Sequence, residues 1–169
     1  MNGASDYALL SRRCQSILDA LDAPKVYSFE AICRWVEELR ERPLILRELP
    51  SQAAVAGACG LWIGTDDADY VFHEVRTARI HQDHIVLHEL AHIICDHNRV
   101  ESNGNVFGEM LSDLQPHMIK RLMGRTSYTT NEEQEAEMIA SLLQSTGKPV
   151  RPRGPLGRLG AFLGLNEGE

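Results

Sequence analysis

Apolar residues recur along this chain in short periodic stretches divided by turn residues. Over residues 6–22, Leu9, Leu10, Cys14, Ile17, Leu18 and Leu21 return every three or four positions, which predicts an amphipathic helix ended by Asp22 to Pro24. Ser28 has N-cap chemistry, and Phe29, Ile32, Cys33, Val36 and Leu39 form the inner face of a second helix closed by Pro43. Residues 44–49 read as a strand. Residues 60–75 read as a hairpin, with an Asp-rich turn at 66–69 followed by Tyr70, Val71 and Phe72. The next helix, at 78–98, is apolar almost all round through Ile85, Val86, Leu87, Leu90, Ala91, Ile93 and Ile94, so it belongs in a core. After a loop at 99–105 come a helical stretch at 106–124 broken by Pro116, a turn-rich loop at 125–131, and a helix ending near Gly147. These elements predict an α+β fold: a mostly helical single domain over residues 1–146, with a sheet of about three strands packed on the helix at 78–98. Residues 147–169 are rich in Gly, Pro and Arg and read as a mobile tail.

Composition narrows the function classes. The chain has 169 residues, is 43% hydrophobic and carries a net charge of -7, so it can fill a core and has no global basic footprint for nucleic acid. No apolar run is long enough to span a membrane, and the start lacks a basic segment followed by an apolar one, so the expected location is the cytoplasm. Cys14, Cys33, Cys59 and Cys95 are widely spaced with no C-x-x-C pair, which fits core packing better than disulfides or a zinc knuckle.

The core helix carries chemistry. His88, Glu89 and His92 spell H-E-x-x-H, and a four-residue step on a helix stacks the two imidazoles on one face. So placed they can close on one metal ion, and Glu89 can take a proton from a water beside it. A buried imidazole pair and a buried carboxylate are costly unless something such as a metal satisfies them. One zinc ion and hydrolysis of an amide bond are the expected cofactor and reaction.

A catalytic zinc takes three protein ligands. The downstream-histidine pattern H-E-x-x-H-x-x-G-x-x-H fails, because Cys95 and Asn98 occupy its Gly and last His positions. His97 points roughly opposite His88 if the helix continues, and reads as a helix C-terminal residue. The later helix offers Glu132, Glu133, Glu135 and Glu137 beside an apolar stripe of Ala136, Ile139, Ala140 and Leu143, with Glu132 and Glu133 nearest the stripe. Glu133 has two readings, a metal ligand or the acidic partner in a Thr130-x-x-Glu133 capping box. Glu137, one turn on, can orient a ligating histidine. Tyr128 can offer its hydroxyl to the site, His84 can line the cleft, Cys95 reads as packing, and His73 and His117 read as rim residues. The strand at 70–75 is the expected sheet edge on which an extended peptide could pair, and the acidic balance favours a basic substrate segment.

Two motifs together resemble the ImmA/IrrE family of metallopeptidases. The first is H-E-L-A-H at 88–92; the second, E-x-x-A-N/D-x-F-A-x-x-L-L in the family, is approached by the run Glu133, Ala136, Glu137, Ile139, Ala140, Leu142 and Leu143, in which the Leu pair comes one residue early. The resemblance spans residues 27–145 and implies a zincin or minimal gluzincin fold, zinc ligands His88, His92 and Glu133, and Glu89 as the catalytic residue. It also implies cytoplasmic regulatory proteolysis, with a helix-turn-helix repressor as the typical protein substrate and toxin–antitoxin-like pairing in many members. Glu137 stands where the family has Asn or Asp, Ile139 where it has Phe, and the ending is LLQS rather than LLMP. Two other readings remain: a zinc-stabilised regulatory or toxin–antitoxin-type binding module without proteolysis, and a deformylase-like amidase using Cys59 as third ligand. Against the second, Leu87 occupies the position where a deformylase has Gln.

Overall fold

The computed structural model describes residues 3–50, 57–65, 67–97 and 128–146. The expected helical stretch at 106–124, His117 and the tail at 147–169 lie outside the described residues. Helix α1 (Gly3–Ala20) buries Cys14 and Leu18. Leu9, expected on the same face, is exposed; nine residues are about two and a half helical turns, which puts it opposite Leu18. Helix α2 (Phe29–Arg40) starts as expected, with the Ser28 hydroxyl accepting from the Ala31 amide at 3.2 Å, and buries Ile32 and Val36. It stops before Pro43 because Glu41 turns left-handed, at φ 54°.

Three strands follow: β1 (Leu44–Glu48), β2 (Gly60–Gly64) and β3 (Asp69–His73). β2 and β3 form the expected antiparallel hairpin, with Trp62 opposite Val71. β1 pairs parallel to the other side of β3, with Leu46 opposite Val71. The order is therefore β1-β3-β2. This corrects the expectation that the strand at 70–75 is a free edge: β3 is central, and Val71, fully buried, needs an apolar neighbour on each side. The edge beside the core helix belongs to β2. Asp69, read as a turn residue, begins β3 and is buried. Its carboxylate accepts from Trp62 Nε1 at 2.9 Å and pairs with Arg40 at 3.1 Å and Arg42 at 3.3 Å, which compensates its desolvation and ties the hairpin to α2.

Helix α3 (Arg79–Ile94) carries the H-E-x-x-H motif, and helix α4 (Thr130–Ser145) lies against it. Ala136, Ile139, Ala140 and Leu143 form the buried stripe of α4, and the two alanines let the helices come close. The α3–α4 contact is the most extensive between described elements. The described residues thus form four helices and a small three-stranded sheet, an α+β arrangement. No described helix is long and apolar enough to cross a membrane.

Both helix ends that matter to the site differ from expectation by a few residues. α3 stops at Ile94 rather than running to 98. The His97 amide donates to the His92 carbonyl at 2.9 Å and the Asp96 amide to the Ile93 carbonyl at 3.1 Å, with Asp96 at φ 55°. That is a Schellman closure with Asp, which tolerates the left-handed region, at the position glycine usually takes. α4 begins with a capping box one residue earlier than expected. The Thr129 hydroxyl accepts from the Glu132 amide and the Glu132 carboxylate accepts from the Thr129 amide at 2.7 Å. Glu132 therefore does the capping, and Glu133 is released from it.

Candidate metal centre

α3 presents His88 and His92 one turn apart toward the first turn of α4, where Glu133 sits. Their Nε2 atoms are 3.2 Å apart. One Glu133 carboxylate oxygen is 3.2 Å from His88 Nε2 and the other 3.7 Å from His92 Nε2. One ligand atom from each residue lies within 4.8 Å of the other two, so the three can share an ion. The donor set fits zinc on its chemistry: two imidazole nitrogens and a carboxylate oxygen, the number and types of protein ligand that a catalytic zinc uses. His92 is fully buried, and burial, with His88 and His97 beside it, drives its pKa down to about 3, which keeps the ring neutral and its lone pair available.

Glu89 lies on the sheet side of α3. It is 6% exposed, and its carboxylate accepts a hydrogen bond from the Trp62 backbone N–H on the edge of β2. Burial, helped by the charge of Glu133, pushes its pKa up to about 8. β2 approaches α3 so closely here only because residue 60 is glycine: a Cβ there would overlap Glu89 Oε1 and lie 2.9 Å from Ile85 Cγ2. Sequence reasoning missed Gly60; a glycine inside a strand next to a buried helix was the available signal.

Tyr128, just before α4, stacks on the His92 ring with centroids 3.5 Å apart and planes 10° apart. Burial and the charges of Glu89, Glu133 and Glu132 raise its pKa, so the phenol stays protonated. Glu137 is where its helical position suggested. One oxygen is 3.4 Å from His88 Nδ1, and both are 3.2 Å from His84 Nε2, so it braces the back of the first histidine of the motif. Gly60, Leu61, His88, Glu89, Tyr128 and Glu133 line one cleft of about 450 Å³. Cys59 also lines it but lies outside the His88–His92–Glu133 cluster.

The residues least foreseen are His97 and Glu135. The Schellman turn swings His97 back so that its Nδ1 is 3.0 Å from His92 Nδ1. Its Nε2 is 3.2 Å from Glu135 Oε2, and Glu135 Oε1 is 3.2 Å from Arg13 Nε on α1. The expectation that His97 points away from the ligands assumed a continuing helix and is corrected by the break at Cys95. Asp96, a residue able to take a left-handed turn, was the signal. Cys95, His97 and Glu135 form a second close group of ligand-type atoms.

No protein-family model, no curated protein and no solved structure matches the chain.

Proposed function

We propose that the chain is a zinc-dependent metalloendopeptidase. The observation that carries this reading is the convergence of His88, His92 and Glu133 within 4.8 Å, with His88 and Glu133 lining the cleft that also holds Glu89. A zinc ion held by those three residues supplies Lewis acidity, acidifying a water and polarising a carbonyl. The remaining work falls to the chain's own groups. Glu89, buried beside the three ligands, takes a proton from water as a carboxylate and gives it to the leaving amine. Its burial keeps the proton between reactants rather than losing it to solvent. Tyr128, held protonated on the cleft wall, supplies a hydrogen-bond donor for the developing oxyanion. The edge of β2 borders the cleft, so an extended peptide pairs there and lies across Glu89.

The substrate is proposed to be a cytoplasmic protein, and the resemblance to the ImmA/IrrE family points to a helix-turn-helix repressor. The net charge of -7 favours a basic segment at the cleavage site. A second reading, a zinc-stabilised binding module without proteolysis, is favoured by one observation: Glu89 is only 6% exposed, with its carboxylate packed against Gly60. The amidase reading, with Cys59 as ligand, has no support in the ligand geometry.

The deciding experiment presents a library of unstructured peptides to the zinc-loaded chain and to Glu89→Gln. Zinc-dependent cleavage by the wild type that disappears in Glu89→Gln, with zinc content unchanged, supports the peptidase. Cleavage that survives in Glu89→Gln overturns it. Zinc binding with no cleavage of the library favours the module.

A further inference from the structure

We propose that His97 and Glu135 are positioning residues that fix the tautomer of His92 and so prepare it to hold the metal. The inference rests on the zinc reading above and deepens it. The argument is one of hydrogen-bond direction. His92 Nδ1 and His97 Nδ1 are 3.0 Å apart, and of two ring nitrogens at that distance one must donate and the other accept. For His92 to offer Nε2 to an ion, its proton must sit on Nδ1, so His92 donates and His97 Nδ1 accepts. A neutral His97 then carries its own proton on Nε2, 3.2 Å from Glu135 Oε2. A carboxylate can only accept, so it selects that direction of the whole chain. Arg13 Nε lies 3.2 Å from Glu135 Oε1 and pairs with the carboxylate at its far end.

Both His97 and Glu135 are buried, and each comes from an element that already builds the site: His97 from the turn that ends α3, Glu135 from α4 two residues after Glu133. The helix that brings a ligand thus also brings the group that orients another ligand. The opposite side is served by Glu137 on His88 Nδ1. Each imidazole of the pair is therefore backed by a carboxylate of α4, one directly and one through a second imidazole.

The same residues suggest a rival use, because Cys95, His97 and Glu135 are close enough to hold an ion themselves. The two uses exclude each other. An ion on His97 Nε2 needs that nitrogen free of its proton. The proton must then lie on His97 Nδ1, which donates to His92 Nδ1 and leaves His92 Nε2 protonated and unable to ligate. Arg13 decides between them: its guanidinium already supplies positive charge at Glu135 and repels a second cation.

The test is zinc affinity, read by competition with a chromophoric chelator, together with the ring-nitrogen NMR shifts of the zinc-loaded full chain. His97→Ala is expected to weaken zinc binding by about 10- to 100-fold, as loss of a ligand's orienting partner does. His97→Gln, whose amide oxygen can accept from His92 Nδ1, is expected to recover part of that loss. Glu135→Gln, which can donate as well as accept, is expected to weaken zinc binding about tenfold, by removing the directional bias. The NMR shifts are expected to place protons on His92 Nδ1 and His97 Nε2. A thermal melt of each variant stripped of metal separates a folding defect from a loss of affinity, and Glu135→Gln serves where His97→Ala does not fold. One zinc per wild-type chain with unchanged affinity in His97→Ala and Glu135→Gln overturns the pairing alone. So does a second zinc that Cys95→Ser removes. A wild-type chain that takes up no zinc overturns the pairing together with the metal reading beneath it.

Discussion

Gly60 lies against the carboxylate of Glu89, and a methyl group at residue 60 would overlap Glu89 Oε1 while crowding Ile85 Cγ2 at 2.9 Å. The contact couples the strand edge to the proposed proton-transfer group. In Gly60→Ala either β2 moves off α3 or Glu89 rotates, and both displace the carboxylate from the cleft. Overpacking of this kind costs roughly 1–3 kcal/mol. The expected outcome is at least a tenfold fall in kcat for peptide cleavage, with zinc content unchanged because His88, His92 and Glu133 are not touched. Steady-state kinetics beside a metal assay check it, and an unchanged kcat would mean that the close approach is only packing.

Capping and the proposed metal ligation are separable on α4. Thr129 is the N-cap, its hydroxyl accepting from the Glu132 amide, whereas Glu133 faces the histidines. Thr129→Ala is expected to lower stability by roughly 1 kcal/mol and to leave zinc affinity within about twofold. Glu133→Ala is expected to lose zinc binding by two orders of magnitude or more while the metal-stripped protein melts near the wild-type temperature. Calorimetric melts and zinc titrations of the two variants form the comparison, and full zinc occupancy in Glu133→Ala would refute its assignment as third ligand.

These residues also explain what could be read in advance. His88, Glu89 and His92 were legible because their arrangement is local: a four-residue step on a helix puts the two histidines on one face, and Glu89 follows His88 directly. Glu133 was not legible from spacing, since Thr129-Thr130-Asn131-Glu132-Glu133 contains two overlapping capping boxes and only the folded register chooses between them. His97 was lost to a helix end, where one left-handed residue, Asp96, redirects everything after it. The hairpin of β2 and β3 followed from pattern and turn chemistry. The insertion of β1 on the far side of β3 is a pairing between distant segments that periodicity along the chain does not encode.

Stability of the metal-stripped protein is expected to fall with pH just above neutrality, because of Glu89. Its folded pKa, about 8, lies above the ordinary carboxyl value of 4.5. The folded state therefore binds the proton more tightly than the unfolded chain does. The corresponding stability is whole below 4.5 and is lost as pH rises to 8. His92 works in the other direction: its folded pKa of about 3 lies below the ordinary 6.5, so it removes stability as pH falls below 6.5. Between pH 6.5 and 8 only the Glu89 effect remains. Relative to Glu89→Gln, the stripped wild type is expected to lose roughly 1–2 kcal/mol across that window, read as a drop in melting temperature of several degrees. Parallel melting curves for the two proteins would remove Glu89 as the cause.

Thiol chemistry offers a probe of the cleft that does not depend on a known substrate. Among the four cysteines, Cys59 is exposed and lines the cleft beside Glu89 and His88. The other three are held as thiols, with burial as the main cause: Cys14 is raised to about 11, and Cys33 and Cys95 to about 12. Thiolate is the reacting form, so these three resist an aromatic disulfide reagent in the folded protein at pH 8. The expected result is one fast equivalent of labelling, abolished in Cys59→Ser, and three slow equivalents released only by denaturant. A bulky label on Cys59 is expected to block peptide cleavage without expelling zinc, while Cys59→Ser itself keeps both zinc and cleavage. Loss of zinc in Cys59→Ser would instead make that thiol a ligand, contradict the Glu133 geometry, and return the amidase reading to first place.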